Sequence, residues 1–173
     1  MKEIYLAGGC FWGTQHYIKQ IDGVVETEVG YANGSTPYPT YEEVYTDQTG
    51  YAETVYIQYD ESRVSLATII EMYFLSIDPT SLNRQGADCG TRYRTGIYYK
   101  SIDDLPIIEQ EYQRVASQYD KSLAVEIEPL RNFYPAEEYH QDYLEKNPHG
   151  YCHIPHALIA KVRELSQRAK PTE

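Results

Sequence analysis

The apolar and polar positions of this chain fall into short runs from its first residues. Ile4-Tyr5-Leu6-Ala7, closed by Gly8-Gly9, predicts a strand over residues 3–7. Cys10 to Gln20 reads as a helix that stops before Asp22-Gly23. Val24 to Tyr31 reads as a strand with Val25, Thr27 and Val29 on one side. Residues 32–50 carry Asn33-Gly34, Pro37, Pro39 and Gly50, which predicts a loop with one helical turn around Tyr41–Tyr45. Ala52 to Tyr59 alternates through Val55, Ile57 and Tyr59 as another strand. Leu66 to Ile77 lines up Leu66, Ile69, Ile70, Tyr73 and Phe74 on one helical stripe, and Asp78-Pro79 stops it. After a second loop at 80–92, Tyr93 to Tyr99 reads as a strand, and Ser101 with Asp104 as a capping pair for a helix reaching Tyr119. Leu123 to Glu128 alternates as a strand and Ala136 to Lys146 reads as a helix. The chain is irregular from Asn147, then partly helical from His156 to Ala169.

Two strands lie side by side between helices, which argues against a doubly wound parallel sheet. The order predicts an α+β fold: a two-layer split-βαβ (ferredoxin-like) sandwich with a mixed sheet, extra helices and a long irregular C-terminal tail. No repeat or linker divides the 173 residues, so one domain over 1–173 is expected, with 147–173 as its tail.

Composition narrows the partners. A net charge of −11 with no basic block argues against nucleic acid or an anionic membrane. The N-terminal apolar run is too short for a signal peptide or a membrane span. Three cysteines do not make a secreted disulfide framework, so a reducing cytoplasm is expected, with thiols kept for chemistry or burial. The chain has 19 tyrosines against 3 phenylalanines, so some rings are available to line a pocket that holds a polar oxygen.

Cys10 is the first candidate for chemistry. A cysteine on a strand-to-helix turn faces unpaired backbone N–H groups and the positive end of the helix, which favour an ionised, exposed sulfur. Phe11 and Trp12 beside it supply an apolar wall suited to an uncharged substrate. The competing reading is an inert cysteine buried at a glycine turn. Glu53 opens an apolar strand, so burial there would raise its pKa and keep a proton for general-acid work. Asp88 either caps its loop or anchors a polar ligand group. Tyr134 precedes Pro135, and Glu137 and Glu138 suit a helix start. His149, Cys152, His153 and His156 form a compact cluster whose spacing is not a usual zinc pattern. Its glycine and proline suit a segment that carries Cys152 to a distant sulfur, as condensation of a sulfenic acid with a thiol requires.

Five blocks in one order resemble the A-type peptide methionine sulfoxide reductases: Gly9-Cys10-Phe11-Trp12-Gly13, Gly30-Tyr31-Ala32-Asn33-Gly34, Gly50-Tyr51-Ala52-Glu53, the run from Gln85 to Arg94, and the run from Phe133 to Gln141. The resemblance spans residues 3 to 156. It implies that Cys10 attacks the sulfoxide sulfur and becomes a sulfenic acid while methionine leaves. It implies that Glu53 protonates the oxygen, that Tyr31 and Tyr134 hydrogen-bond it, and that Phe11 and Trp12 hold the S-methyl group. Asp88 would orient the substrate or the site. The implied substrate is the S epimer of methionine sulfoxide, free or peptide-bound, with thioredoxin as reductant and no metal or organic cofactor. A monomer is expected. Tyr51 stands where the family often has histidine, and Cys89 where it usually has an apolar residue. The glycine-rich tail with two cysteines found in some members is absent, so Cys152 is the implied resolving residue and Cys89 its competitor. Two other readings are open: a cysteine hydrolase or acyltransferase using Cys10 with His140 and a carboxylate, and a metal- or protein-binding module on Cys152, His149, His153 and His156.

Overall fold

A computed structural model describes residues 1–169; the last four positions of the expected 147–173 tail lie outside the described residues. Six strands form one sheet in the order β7-β6-β1-β3-β2-β8, with β1 Lys2–Gly8, β2 Val24–Ala32, β3 Ala52–Tyr59, β6 Thr95–Tyr99, β7 Glu126–Pro129 and β8 Phe133–Pro135. The central four, β6-β1-β3-β2, are antiparallel neighbours, and β7 joins β6 in parallel. With α1 Phe11–Ile18 between β1 and β2, and α3 Leu66–Leu75 after β3, this is the split-βαβ arrangement in a mixed sheet.

One sheet face carries Ile4, Leu6, Val29, Tyr31, Val55, Ile57 and Ile97. It packs against Phe11, Tyr17 and Ile18 of α1, the Leu66–Phe74 stripe of α3, Ile108 and Val115 of α4 Leu105–Ala116, and Val162 of α6 His156–Arg168. Burial of these side chains is the main force holding the two layers together. Tyr5, Ala7, Ala32, Ala52 and Tyr98 face the other way, partly roofed by Leu130 and Phe133.

The expected helix over Ala136–Lys146 does not form. Instead the chain runs through β8, a 3-10 turn at Glu138–His140 and the one-turn helix α5 Tyr143–Lys146. The reason is tertiary and polar. Ala136 N–H donates to the Val29 carbonyl at 2.9 Å, and the Gln141 amide both accepts from Val29 N–H and donates to Val29 O at 2.9 Å. Asp142 turns left-handed at φ 52° while its N–H reaches Gln15 Oε1 at 2.9 Å. These bonds tie the segment to β2 and α1 and outweigh its helical spacing.

Three smaller differences follow from similar local causes. The β2 register shifts between Val24 and Glu26, so Val25 falls on a bulge and is exposed instead of sharing a buried side with Val29. The 80–92 loop contains a hairpin of β4 Arg84–Gln85 and β5 Asp88–Cys89, turning at Gly86 with φ 61°. Thr91–Tyr93 is a 3-10 turn, so β6 starts at Thr95. The helical turn α2 forms at Tyr41–Tyr45, where Thr40 and Glu43 make a reciprocal capping box.

Candidate active site

The site is assembled where β1 ends and α1 begins. Cys10 is the N-cap residue of α1, and the N–H groups of Trp12 and Gly13 point at its sulfur. That much follows from a cysteine at a strand-to-helix turn. The ionised, exposed sulfur does not: Cys10 is 7% exposed, and burial, then the nearby Glu53 carboxyl, pushes its thiol well above the usual range. Desolvation outweighs the helix end because the two N–H groups offset only part of the cost of burying a charge.

Glu53 sits on the helix-facing side of β3, directly opposite Tyr31 of β2. Its carboxyl is buried. Oε1 accepts from Phe11 N–H at 3.1 Å, while Oε2 has no partner. Burial raises its pKa to about 8, against the pull of the Phe11 N–H and the Arg92 guanidinium. The carboxyl therefore holds a proton at neutral pH, with a free oxygen to carry it. Arg92 is fixed by Asp47, whose carboxylate also accepts from Arg92 N–H at 2.9 Å.

The two tyrosines expected to bind the oxygen are placed otherwise. The Tyr31 hydroxyl donates to Glu137 Oε1 at 2.7 Å, and its ring is fully buried against Phe11. Glu137 also accepts from Tyr41 N–H at 2.9 Å. Burial pushes its carboxyl up, but the Tyr41 and Tyr31 donors outweigh that and hold it below the usual range. Tyr31 is thus a brace between β2 and α2. The Tyr134 ring packs edge-on against Tyr38 and Tyr51. The hydroxyls coupled to both Glu53 and Cys10 belong to Tyr41 and Tyr93, each raised first by burial and then, once Glu53 ionises, by its carboxylate. Sequence reasoning missed both. Tyr41 opens the short helical turn α2, with no motif to mark it, and Tyr93 lies inside the Gln85–Arg94 block at the start of the expected strand.

Phe11 is in the core, between the rings of Tyr31 and His140. Trp12 is half-buried, stacks on Tyr143 at 3.7 Å between centroids, and donates from Nε1 to His140 Nδ1 at 3.0 Å. His140 is buried and its pKa is lowered chiefly by that burial. Its Nδ1 is therefore an acceptor occupied by Trp12, which leaves no basic nitrogen to pair with Cys10 as a hydrolase would require. Asp88, on the β4–β5 hairpin, faces the Tyr151 hydroxyl and is raised by burial. Its Oδ2 is unpartnered.

Cys152 lies against the first turn of α1: a Cβ added to Gly13 would meet its sulfur at 3.0 Å. All three thiols are free, Cys89 is exposed, and Cys152 is half-buried. A cavity of about 310 Å³ opens beside Cys152, between His16, Leu144, Pro148, His156 and Ile159. Among the described residues no three His, Cys, Asp or Glu side chains are arranged to hold a metal, so the Cys152–histidine cluster does not assemble as a ligand set. Among the described residues, no helix is long and apolar enough to cross a membrane.

Comparison with known proteins gives the same reading as the geometry. The family model for peptide methionine sulfoxide reductase matches residues 2–171. The peptide methionine sulfoxide reductase MsrA of Clostridium acetobutylicum is 56% identical over 161 residues, which are 93% of this chain and 99% of that protein. That of Alkaliphilus metalliredigens is 56% identical over 89% of this chain and 98% of its own length. Among solved structures, reduced Mxr1 of Saccharomyces cerevisiae superposes with a TM-score of 0.83 at 40% identity, covering 87% of this chain and 88% of that one. Methionine sulfoxide reductase A of Corynebacterium diphtheriae gives 0.79 at 37%, over 90% of this chain and 78% of that one. Mxr1 in complex with Trx2 aligns with a TM-score of 0.59 at 28% identity, covering 82% of this chain and 84% of that one. With a buried acid, a thiol and an aromatic wall gathered at one helix end, and a family match over nearly its whole length, the chain belongs to the peptide methionine sulfoxide reductases.

Proposed function

We propose that this enzyme reduces the S epimer of methionine sulfoxide, free or in proteins, with Cys10 as nucleophile, Glu53 as acid and Cys152 as resolving thiol. The observation that carries the reading is the protonated, buried Glu53 with Oε2 unpartnered, next to the Cys10 thiol. A sulfoxide is neutral but strongly dipolar. It enters a dry site at little desolvation cost and finds donors on its oxygen side. Tyr41 and Tyr93 hydrogen-bond the oxygen in place of Tyr31 and Tyr134, and the half-buried Trp12 face, backed by Phe11, receives the S-methyl group. Asp88 Oδ2 accepts from a polar group of the substrate.

Glu53 passes its proton to the sulfoxide oxygen as the Cys10 sulfur attacks the substrate sulfur, and the Cys10 thiol proton returns to Glu53. The oxygen ends on Cys10 as a sulfenic acid and methionine leaves. This exchange explains why both groups rest neutral: two anions in one buried site would repel, and the thiolate forms only as the acid discharges. Cys152 then displaces water from the sulfenic acid to form a Cys10–Cys152 disulfide. Thioredoxin reduces it, as the yeast Mxr1–Trx2 complex suggests for this chain, by attack on the Cys152 side where the cavity opens. A reducing cytoplasm is the compartment such recycling needs.

Mass mapping after one equivalent of methionine sulfoxide tests the scheme. A Cys10–Cys152 disulfide and one methionine released are expected; a Cys10–Cys89 bond, or an acylated Cys10, would overturn it.

A further inference from the structure

Beside Cys152 stands a histidine that the scheme above does not use. His153 Nε2 lies 2.7 Å from the Gly8 carbonyl oxygen. A carbonyl can only accept, so Nε2 carries the hydrogen and the neutral ring keeps its lone pair on Nδ1. That Nδ1 is shielded from solvent and has no hydrogen-bond partner. A buried acceptor left unpaired is costly, and such groups call for a reason. The position of the atom supplies one. A Cβ placed on Gly13 would lie 3.1 Å from His153 Nδ1 and 3.0 Å from Cys152 Sγ, so the two atoms are separated by no more than the sum of those distances. The ring also covers Gly9, the residue before Cys10, where an added Cβ would meet Nε2 at 3.0 Å. His153 therefore bridges the turn that holds one reacting sulfur and the segment that holds the other.

We propose that His153 Nδ1 is the base that takes the Cys152 thiol proton when Cys152 attacks the sulfenic acid of Cys10. The inference rests on Cys152 being the resolving residue. The Cys152 sulfur bonds to the Cys10 sulfur, and the Cys10 S–O bond breaks. The thiol proton passes to Nδ1 and from there to the departing hydroxide, which leaves as water. The Cys152 sulfur is oxidised and the Cys10 sulfur reduced, so this step needs no outside electrons. In the resting state the Cys152 thiol donates only weakly, to the Ile154 carbonyl at 3.5 Å, and is free to turn to a better acceptor.

Electrostatics support the assignment. Burial raises the Cys152 thiol, so unaided it would rarely be ionised at neutral pH. Burial lowers the His153 imidazolium, against the Gly8 carbonyl and the Asp88 carboxyl, so the ring is neutral and able to accept. The titratable groups beside it are Asp88 on the hairpin, and Tyr151 and Cys152 on its own segment.

The test is a single-turnover experiment on the whole enzyme, following methionine release and Cys10–Cys152 disulfide formation separately by rapid quench and mass mapping. In the wild type, disulfide formation should be nearly independent of pH from about 6.5 to about 8.5, where a neutral imidazole is always present. His153→Gln should slow disulfide formation on the order of 100-fold at neutral pH. It should also convert the flat profile into a rise of about tenfold per pH unit, the signature of a thiol ionising unaided. In His153→Ala, added imidazole should restore part of the rate. A variant that forms the disulfide at the wild-type rate, or one that is slower with the profile still flat and no imidazole rescue, would overturn the base assignment. Should the wild type form no Cys10–Cys152 disulfide at all, the resolving-cysteine reading fails and takes this inference with it, and the wild-type control alone reveals which has failed.

Discussion

Glu53 and Cys10 show how far one side chain's chemistry depends on its burial. The carboxyl is held near pKa 8 mainly by desolvation, so it is protonated below that pH and charged above it. As the acid of the reductive step, it should make the single-turnover rate of methionine formation fall as pH rises through about 8. Glu53→Gln keeps the acceptor for Phe11 N–H but cannot give a proton, and should slow that step by on the order of 10²- to 10⁴-fold while changing substrate affinity far less. Stopped-flow fluorescence of the single Trp across a pH series would check both outcomes. Cys10→Ser should abolish turnover. Among the tyrosines, Tyr41→Phe and Tyr93→Phe should each lower the reductive rate by about tenfold, as a lost hydrogen bond of about 1.4 kcal/mol implies. Tyr31→Phe should instead act on the fold, since it strands the Glu137 carboxylate; a lower midpoint in thermal unfolding is the expected reading. A rate loss in Tyr31→Phe matching that of Tyr41→Phe would return the oxygen-binding role to Tyr31.

At the level of elements, the first turn of α1 does two jobs that compete. It presents N–H groups to Cys10, and it leaves a gap at Gly13 into which Cys152 and His153 fit. Gly13→Ala puts these in opposition. Alanine should favour the helix by about 1 kcal/mol. Its methyl group would meet Cys152 Sγ at 3.0 Å and His153 Nδ1 at 3.1 Å, tighter than ordinary contact. The movable partner is the irregular 147–155 segment, so the fold should keep its stability while disulfide formation slows. Unfolding midpoints measured beside the rate of thiol loss would separate the two effects. The 136–146 segment teaches a related lesson. Its spacing reads as a helix, and Pro135-Ala136-Glu137-Glu138 looks like a helix start. What overrides it is the Gln141 amide on the Val29 backbone and the left-handed Asp142, partners supplied by β2 and α1 over more than 100 residues of chain. No local window contains that information.

Across the whole molecule, the site costs stability in a way that pH reveals. A carboxyl whose pKa is about 8 when folded and near 4.3 when unfolded favours the fold fully only below the lower value. That contribution is lost as pH rises toward 8. Glu53→Gln removes the dependence, so its unfolding midpoint should exceed that of the wild type at pH above about 8, and the gap should narrow as the buffer becomes more acidic. Calorimetry at two pH values decides this, and a gap that widens toward acid would refute it. The antiparallel core, its helix stripes, the blocks bearing Cys10 and Glu53 and the tail cluster around Cys152 were legible in the sequence, because strand and helix periods and glycine turns are local properties of the chain. The sequence by itself thus determined the split-βαβ order and singled out Cys10 as the candidate sulfur. Only the tertiary structure decided that this sulfur rests as a thiol, since burial is a property of neighbours far along the chain. It alone separated Tyr31, whose hydroxyl is claimed by Glu137, from Tyr41 and Tyr93, which α2 and the Thr91–Tyr93 turn bring within the electrostatic reach of Glu53.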